Sequence, residues 1–361
     1  MVRTDASPIP ESAVGISLPL VGREDQAKPG GLGGLGPMII GLTYDLRDDY
    51  LAQGFTDEQA GEFDVAETID AVEAALRHHG HEVERIGGIK ALVAALAAGR
   101  TWPIVWNMCE GLHGIAREAQ VPALLEAYGI PFVFSSADVL VTAMDKAVAK
   151  LVVRAAGVPT PDFVVVRTAR DLVAVKLPYP LFVKPIAEGT SKGVAEASRV
   201  ENRAELTARC IEVLKTYRQP ALVETFLPGR EFTVGIVGSG ASARAIGVSE
   251  IKFLPGGDPS AYSYKNKMQA FDELSLATGP IAEEAAFVAV SAWRALNCRD
   301  AGRIDIRCDA EGHASFIECN PLAGLRPKWS ELTQLAGLVG ISYEALIGEI
   351  LDNALPRALP G

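Results

Sequence analysis

The chain has no C-x-x-C pair. Its five cysteines, Cys109, Cys210, Cys298, Cys308 and Cys319, are odd in number and scattered, with no histidines nearby at zinc spacing. That argues against a zinc ribbon or a disulfide framework and leaves free thiols in a reducing cytosol. Cys319 has no histidine to activate it and reads as a small buried filler. No apolar run reaches the length that spans a bilayer, and the N-terminal segment has no continuous apolar core before its Pro and Gly residues, so it does not have the layout of a secretory signal. There is no basic stripe with interleaved aromatics, and at a formal net charge of -11 a phosphate backbone would meet mostly repulsion. The expectation is a soluble cytoplasmic protein with neither nucleic acid nor membrane as partner.

Two nucleotide motifs are also missing. Gly31-Leu32-Gly33-Gly34-Leu35-Gly36 matches G-x-G-x-x-G by letter, but it precedes the first strand instead of following one, so residues 1–37 read as a flexible extension. The Gly-Lys-Ser/Thr triplet of a Walker loop is absent. An acidic protein that handles phosphates must then rely on a few placed lysines and metal ions.

What is there begins with length: 361 residues, 48% hydrophobic and 22% charged, suit two or three packed units. Met38 to Tyr44 reads as a buried strand, and Val65, Ile69, Val72 and Leu76 recur at helical spacing. The alternation continues with strands at 81–86, 103–107 and 131–134 and helices at 89–98 and 118–128. This pattern means a Rossmann-like parallel sheet with crossover helices. Ligands of such sheets bind beyond the strand ends, in the loops that hold Asp45, Glu62, Asn107 and Glu110. One helix is expected over 138–156, ending at Gly157. An α+β texture follows, with strands at 163–166, 181–184, 221–226, 231–237 and 245–252 and helices at 203–217 and 281–296. Strands at 302–308 and 315–320 and a helix at 343–354 close the chain.

Arg303-Ile304-Asp305-Ile306-Arg307-Cys308 and Ser315-Phe316-Ile317-Glu318-Cys319-Asn320, joined by Asp309-Ala310-Glu311-Gly312, form a hairpin pattern. Alternation puts Arg303, Asp305 and Arg307 on one face of the first strand and Glu318 with Asn320 on one face of the second. Two carboxylates and an amide suit magnesium, which takes hard oxygen ligands. A solvent-facing charged edge fits the same spacing. Upstream, Val183-Lys184-Pro185 runs into Glu188-Gly189-Thr190-Ser191-Lys192-Gly193, a small-residue loop whose backbone can approach phosphate while Lys184 supplies charge.

These segments, with Val223-Glu224-Thr225-Phe226-Leu227-Pro228-Gly229-Arg230-Glu231, Gly302-Arg303-Ile304-Asp305 and Ile317-Glu318-Cys319-Asn320, together resemble the ATP-grasp superfamily, and within it the D-alanine-D-alanine ligases. The resemblance runs from Met38 to the end, with Met144-Asp145-Lys146 and Gly129-Ile130-Pro131 in register. It implies a pre-ATP-grasp domain over 38–136 and a two-lobed ATP-grasp unit over 137–227 and 228–361. Lys146 and Lys184 would meet ATP phosphates under the loop of Glu188, Thr190 and Ser191. Glu224 and Leu227 would meet adenine, Glu231 the ribose, and Lys267 the phosphates from a flap. Asp305, Glu318 and Asn320 would hold two magnesium ions, with Arg303 and the Gly324 backbone stabilising the tetrahedral intermediate. The implied enzyme is an ADP-forming carbon-nitrogen ligase acting through an acyl phosphate, and a homodimer is implied as well.

The substrate contacts depart from the D-alanine pattern. Asn107-Met108-Cys109-Glu110-Gly111-Leu112-His113-Gly114 replaces the family's His-Gly and Gly-Glu-Asp-Gly segment, Met268 stands where the family has tyrosine, and the segment from Pro321 to Ser330 is one residue longer. The expected substrates are thus a small-molecule carboxylate and an amine, with amino acids other than D-alanine admitted. D-alanine-D-alanine ligase itself and a non-catalytic ATP-binding module are the alternatives. Glu62, Glu110, Arg117, Arg326, Lys328 and Ser330 are candidates for gripping the substrates' charged groups, though exposed charge is the simpler reading of each ionic one. His113 reads as a surface histidine.

Overall fold

The computed structural model describes residues 36–253 and 272–359. Most of the expected N-terminal extension, and Lys267 with Met268, lie outside the described residues.

β1 (Ile39–Tyr44) is the middle of a parallel three-stranded sheet, paired with β2 (Glu82–Arg85) and β3 (Ile104–Met108). A short helix, α1 (Arg47–Ala52), precedes the crossover helices α2 (Ala66–His78) and α3 (Ile89–Ala97), and α4 (Gln120–Ala127) follows β3. On α2 the residues at helical spacing, Ile69, Val72 and Leu76, are buried, as a core-facing apolar stripe requires. The strand expected at 131–134 is only a single parallel bridge, Val105 to Phe132. Phe134 has φ 76° and donates its backbone N–H to Asp300 Oδ2 at 2.6 Å, so the chain leaves the sheet to reach the C-terminal region.

The helix expected over 138–156 is two helices, α5 (Ala137–Met144) and α6 (Lys146–Ala155). Asp145 between them is extended at φ -80°, ψ 96°, and its Oδ1 accepts from the backbone N–H of Ala147 at 3.0 Å and Val148 at 3.1 Å. An aspartate that caps the following turn competes with continuing the previous helix, which is why one long period breaks in two here.

A second sheet is antiparallel, ordered β4 (Phe163–Val166), β7 (Ala221–Thr225), β5 (Leu181–Pro185), β6 (Arg199–Val200). It carries α7 (Arg203–Thr216), N-capped by the Asn202 side chain. The third sheet is antiparallel and five-stranded: β10 (Asp272–Leu276), β9 (Arg244–Phe253), β8 (Glu231–Val237), β11 (Ala301–Cys308), β12 (Ala314–Asn320). Against it pack α5, α6 and α8 (Pro280–Ala295), in a core around the fully buried Trp293, Phe232 and Phe316. α9 (Glu331–Leu338) and α10 (Tyr343–Ala354) join the core of the parallel sheet, where Leu346 and Ile350 meet Ile69 and Leu76. The closing helix therefore ties the C-terminal region back to the N-terminal sheet.

Candidate active site

On the β11–β12 hairpin Asp305 pairs directly with Glu318 and Arg303 with Asn320, and the register shifts after Asp305. Asn320 Nδ2 donates to Asp305 Oδ2 at 3.2 Å, and Thr233 Oγ1 on β8 donates to Asp305 Oδ1 at 2.9 Å. Arg303 Nη1 lies 3.5 Å from Asp305 Oδ1, and Lys146 Nζ at the start of α6 lies 3.2 Å from Glu318 Oε2. The expected trio is thus one cluster of hard oxygen donors bordered by cations, and not a solvent-facing edge.

One cleft runs from this cluster between the two antiparallel sheets. It is lined by Lys146, Lys184, Glu188, Ser191, Glu224, Leu227, Glu231 and Asp305 among others. Phe182 and Phe226, stacked with centroids 6.3 Å apart, line it with Leu227, and Arg307 lies 5.1 Å over the Phe226 ring, so one stretch of the cleft has an aromatic and aliphatic wall beside charged groups. Arg307 Nη1 sits 3.2 Å from Glu231 Oε2. Glu224, buried on β7, receives Lys184 Nζ at 2.8 Å on one oxygen and Lys150 Nζ at 3.0 Å on the other. Burial alone would raise this carboxyl, but Lys150 and Lys184 more than offset it and hold it below the usual range.

Between the cleft and the N-terminal sheet lies the loop 188–193. Lys146 Nζ donates to Glu188 O at 2.6 Å, and Thr190 and Ser191 adopt φ of 49° and 56°. Glu62 anchors this loop from the opposite side: Gly189 N–H donates to its Oε1 at 3.0 Å, and Lys192 Nζ lies 3.1 Å from its Oε2. A Cβ on Gly189 would stand 2.5 Å from Glu62 Oε1, so a side chain there would push the Glu62 carboxylate aside. Arg117, buried, donates to both Glu62 oxygens at 3.1 and 3.2 Å and to Ala187 O at 3.1 Å. Burial would raise Glu62, yet Arg117 and Lys192 hold it low.

A second, larger cavity of about 570 Å³ opens on the other side of Lys146, Glu188 and Glu318, which line both spaces. Glu62, Asp64, Glu110 and Glu118 form an acidic part of its wall. Burial and the neighbouring carboxylates push Glu110 well above the usual carboxyl range. Burial takes Glu118 up to about 8 and Asp64 up to about 7. The opposite wall holds Arg303, Gly324, Arg326, Lys328, Ser330 and Glu331. Ser330 Oγ accepts from Arg326 N–H at 3.1 Å, and a Cβ on Gly324 would come within 2.8 Å of that oxygen. Arg326 pairs with Glu67 at 2.9 Å, Lys328 is exposed, and Glu331 Oε1 lies 3.4 Å from Arg303 Nη1.

Of the loop residues singled out in the N-terminal sheet, Glu62 and Glu110 reach the cavity. Asn107 is used internally, accepting from Thr43 Oγ1 and the Cys109 N–H, and Asp45 accepts from Tyr50 and Gly111. His113 is exposed and Cys319 is buried, its Sγ 3.6 Å from that of Cys298. Sequence reasoning missed Lys150, Asp64, Glu118 and Glu331. For Lys150 a signal existed, since it follows Lys146 by one helical repeat of four residues; the others are brought in by packing alone.

A family model described as "D-ala D-ala ligase C-terminus" matches residues 152–352. A D-alanine--D-alanine ligase of Gluconobacter oxydans is 32% identical over 299 residues, spanning 80% of this chain and 93% of that protein. The uncharacterized protein y4sG of Sinorhizobium fredii is 32% identical over 307 residues, 80% of this chain and 87% of its own. Among solved structures, a Bacillus anthracis D-alanine--D-alanine ligase complexed with ATP shares the fold at a TM-score of 0.68, with 21% identity over 90% of this chain and 99% of that one. The chain therefore belongs to the D-alanine-D-alanine ligase family of the ATP-grasp superfamily.

Proposed function

We propose that the protein is an ATP-dependent, ADP-forming ligase that joins an amino-acid carboxylate to an amine through an acyl phosphate, with ATP in the cleft and the amino acids in the larger cavity. The observation that carries this reading is the seam: Lys146, Glu188 and Glu318 line both spaces, so a phosphoryl group at the end of the cleft would face a carboxylate in the cavity. A carboxylate is a poor electrophile, and its phosphorylation supplies a leaving group that an amine can displace. Lys146 and Lys184 neutralise the transferring phosphoryl, the loop of Glu188, Thr190 and Ser191 covers it, and Arg303 with the Gly324 backbone receives the oxyanion of the tetrahedral intermediate. Glu224 and Leu227 contact the base beside the wall of Phe182 and Phe226, and Glu231 contacts the ribose. Lys267 lies outside the described residues, and its contact with the phosphates rests on the resemblance alone.

Asp305, Glu318 and Asn320 fit magnesium: their donors are hard oxygens, and two facing carboxylates leave a negative locus that a cation relieves. When bound there, the two ions expected would neutralise phosphate charge. For the substrates, Glu62 and Glu110 suit an ammonium group. Arg117 acts through Glu62, and Arg326, Lys328 and Ser330 suit the carboxylate of the second amino acid. For the domain division we propose 38–136, 137–227 and 228–361, each containing one sheet. The buried free cysteines fit a cytoplasmic location, and no single helix among the described residues is long and apolar enough to cross a membrane.

D-alanine-D-alanine ligase itself is the second reading, favoured by the names of the relatives. Phosphate release measured over a panel of D- and L-amino acid pairs, with product mass, tests both. Release with D-alanine alone selects the second reading, and release with another pair selects altered substrates. If no amino acid, hydroxy acid or peptide elicits ADP formation while magnesium-dependent ATP binding stays intact, the non-catalytic module is selected.

A further inference from the structure

Lys150 is 0% exposed on α6, four residues after Lys146, so one helix face sends one lysine to the hairpin and the next to the base end of the cleft. Its ammonium has no route to a ligand. It lies 3.0 Å from Glu224 Oε2, donates to Thr160 Oγ1 at 3.0 Å and reaches Phe316 O at 3.5 Å, while Thr160 in turn donates to Phe316 O at 2.8 Å. Thr160 and Phe316 accept its hydrogen bonds, and Glu224 is its counter-charge. Of these three partners only Glu224 lines the cleft, so it is through Glu224 that Lys150 reaches a ligand there.

Glu224 has a second cation, Lys184, 2.8 Å from its other oxygen, and Lys184 lines the cleft beside it. If Lys184 turned to a phosphate without Lys150 in place, a buried carboxylate would lose its only counter-charge, which is strongly unfavourable. With Lys150 in place, Glu224 stays ionised and aimed while Lys184 moves. An ionised carboxylate at the base end accepts from the exocyclic amine of adenine and repels the carbonyl oxygen that guanine offers in the same place.

We propose that Lys150 is a positioning residue for nucleotide selection: it holds Glu224 as an oriented carboxylate acceptor, sets the preference for adenine over guanine, and frees Lys184 for the phosphates. This rests on the reading of the cleft as the ATP site.

The test measures ADP and GDP affinity by calorimetry, with amino-acid KM, for wild type, Lys150→Met, Glu224→Gln and the double variant. Lys150→Met is expected to weaken ADP by about tenfold or more, to narrow the ADP-to-GDP ratio and to leave amino-acid KM in place. Unchanged ADP affinity and ratio in Lys150→Met would overturn the proposal. Should that variant not fold, the double variant, which removes both charges, decides. A loss equal to that of Glu224→Gln alone supports action through Glu224, and a clear further loss overturns it. Wild-type protein that binds neither nucleotide would overturn the ATP-site reading and this proposal with it, whereas failure of Lys150→Met to differ from a nucleotide-binding wild type removes only the proposal.

Discussion

Asp305 and Glu318 face one another directly across the β11–β12 pair, two carboxylates in register on neighbouring strands. Like charges so placed destabilise a sheet unless cations intervene. Lys146 at 3.2 Å from Glu318 and Arg303 at 3.5 Å from Asp305 offset part of this. Glu318→Gln is therefore expected to lower magnesium-dependent turnover by about 100-fold while leaving the melting temperature unchanged or raised. Phosphate release across a magnesium titration, with thermal melts, checks it. Full magnesium-dependent turnover in the variant would remove Glu318 from the metal set.

Arg303 stands between Asp305 and Glu331 and lines the larger cavity. A donor that meets charge developing only in the transition state affects kcat more than binding. Arg303→Ala should lower kcat by about 10²–10³ and leave nucleotide affinity within about twofold. Steady-state kinetics paired with ADP calorimetry separates the two. An equal loss in both would make Arg303 a binding residue only.

Glu62, with its side chain 8% exposed, collects Arg117, Lys192 and the Gly189 N–H. Glu62→Ala leaves two cations without their shared partner and unlatches the loop 188–193. The expected cost is about 3 kcal/mol in urea unfolding, together with a raised KM for both ATP and the amino substrate. A stability change below about 0.5 kcal/mol would show that the latch contributes nothing to folding.

Asp64 at about 7 and Glu118 at about 8 hold their protons in the folded state long after an unfolded carboxyl near 4 has lost its own. The folded state then binds more protons between those limits, so ligand-free stability falls as pH rises from about 4 through 8 and levels off above. Melts from pH 5 to 9 should show this slope, reduced in Glu118→Gln. An ammonium substrate near these groups favours their ionised form, so its binding is expected to release protons, which calorimetry in two buffers detects.

Much of this was legible in one dimension. The loop 188–193, the Arg303 and Asp305 strand and the Glu318 and Asn320 strand are each short, local patterns of residue type, and their order along the chain carried the family. Local signals also located most helices and strands. They erred at Phe134, which the distant Asp300 draws out of the parallel sheet, and at Asp145, whose side chain caps α6 and so divides one helical period. Asp64, Glu118 and Glu331 carry no local mark, because their environment comes from elements far away in sequence, and Lys150 is marked only by its four-residue spacing from Lys146.

The residue sequence by itself determined the family and its local motifs, since lysines at a strand end, glycines in a loop and acids alternating on a hairpin depend on neighbours one to four positions away. Tertiary structure alone decided what those groups face. It set Lys146 at the seam of two cavities, gave Glu224 two lysines, and gathered four acids onto one wall. Charge and desolvation act through space over a few ångströms, and only folding brings such groups within that range.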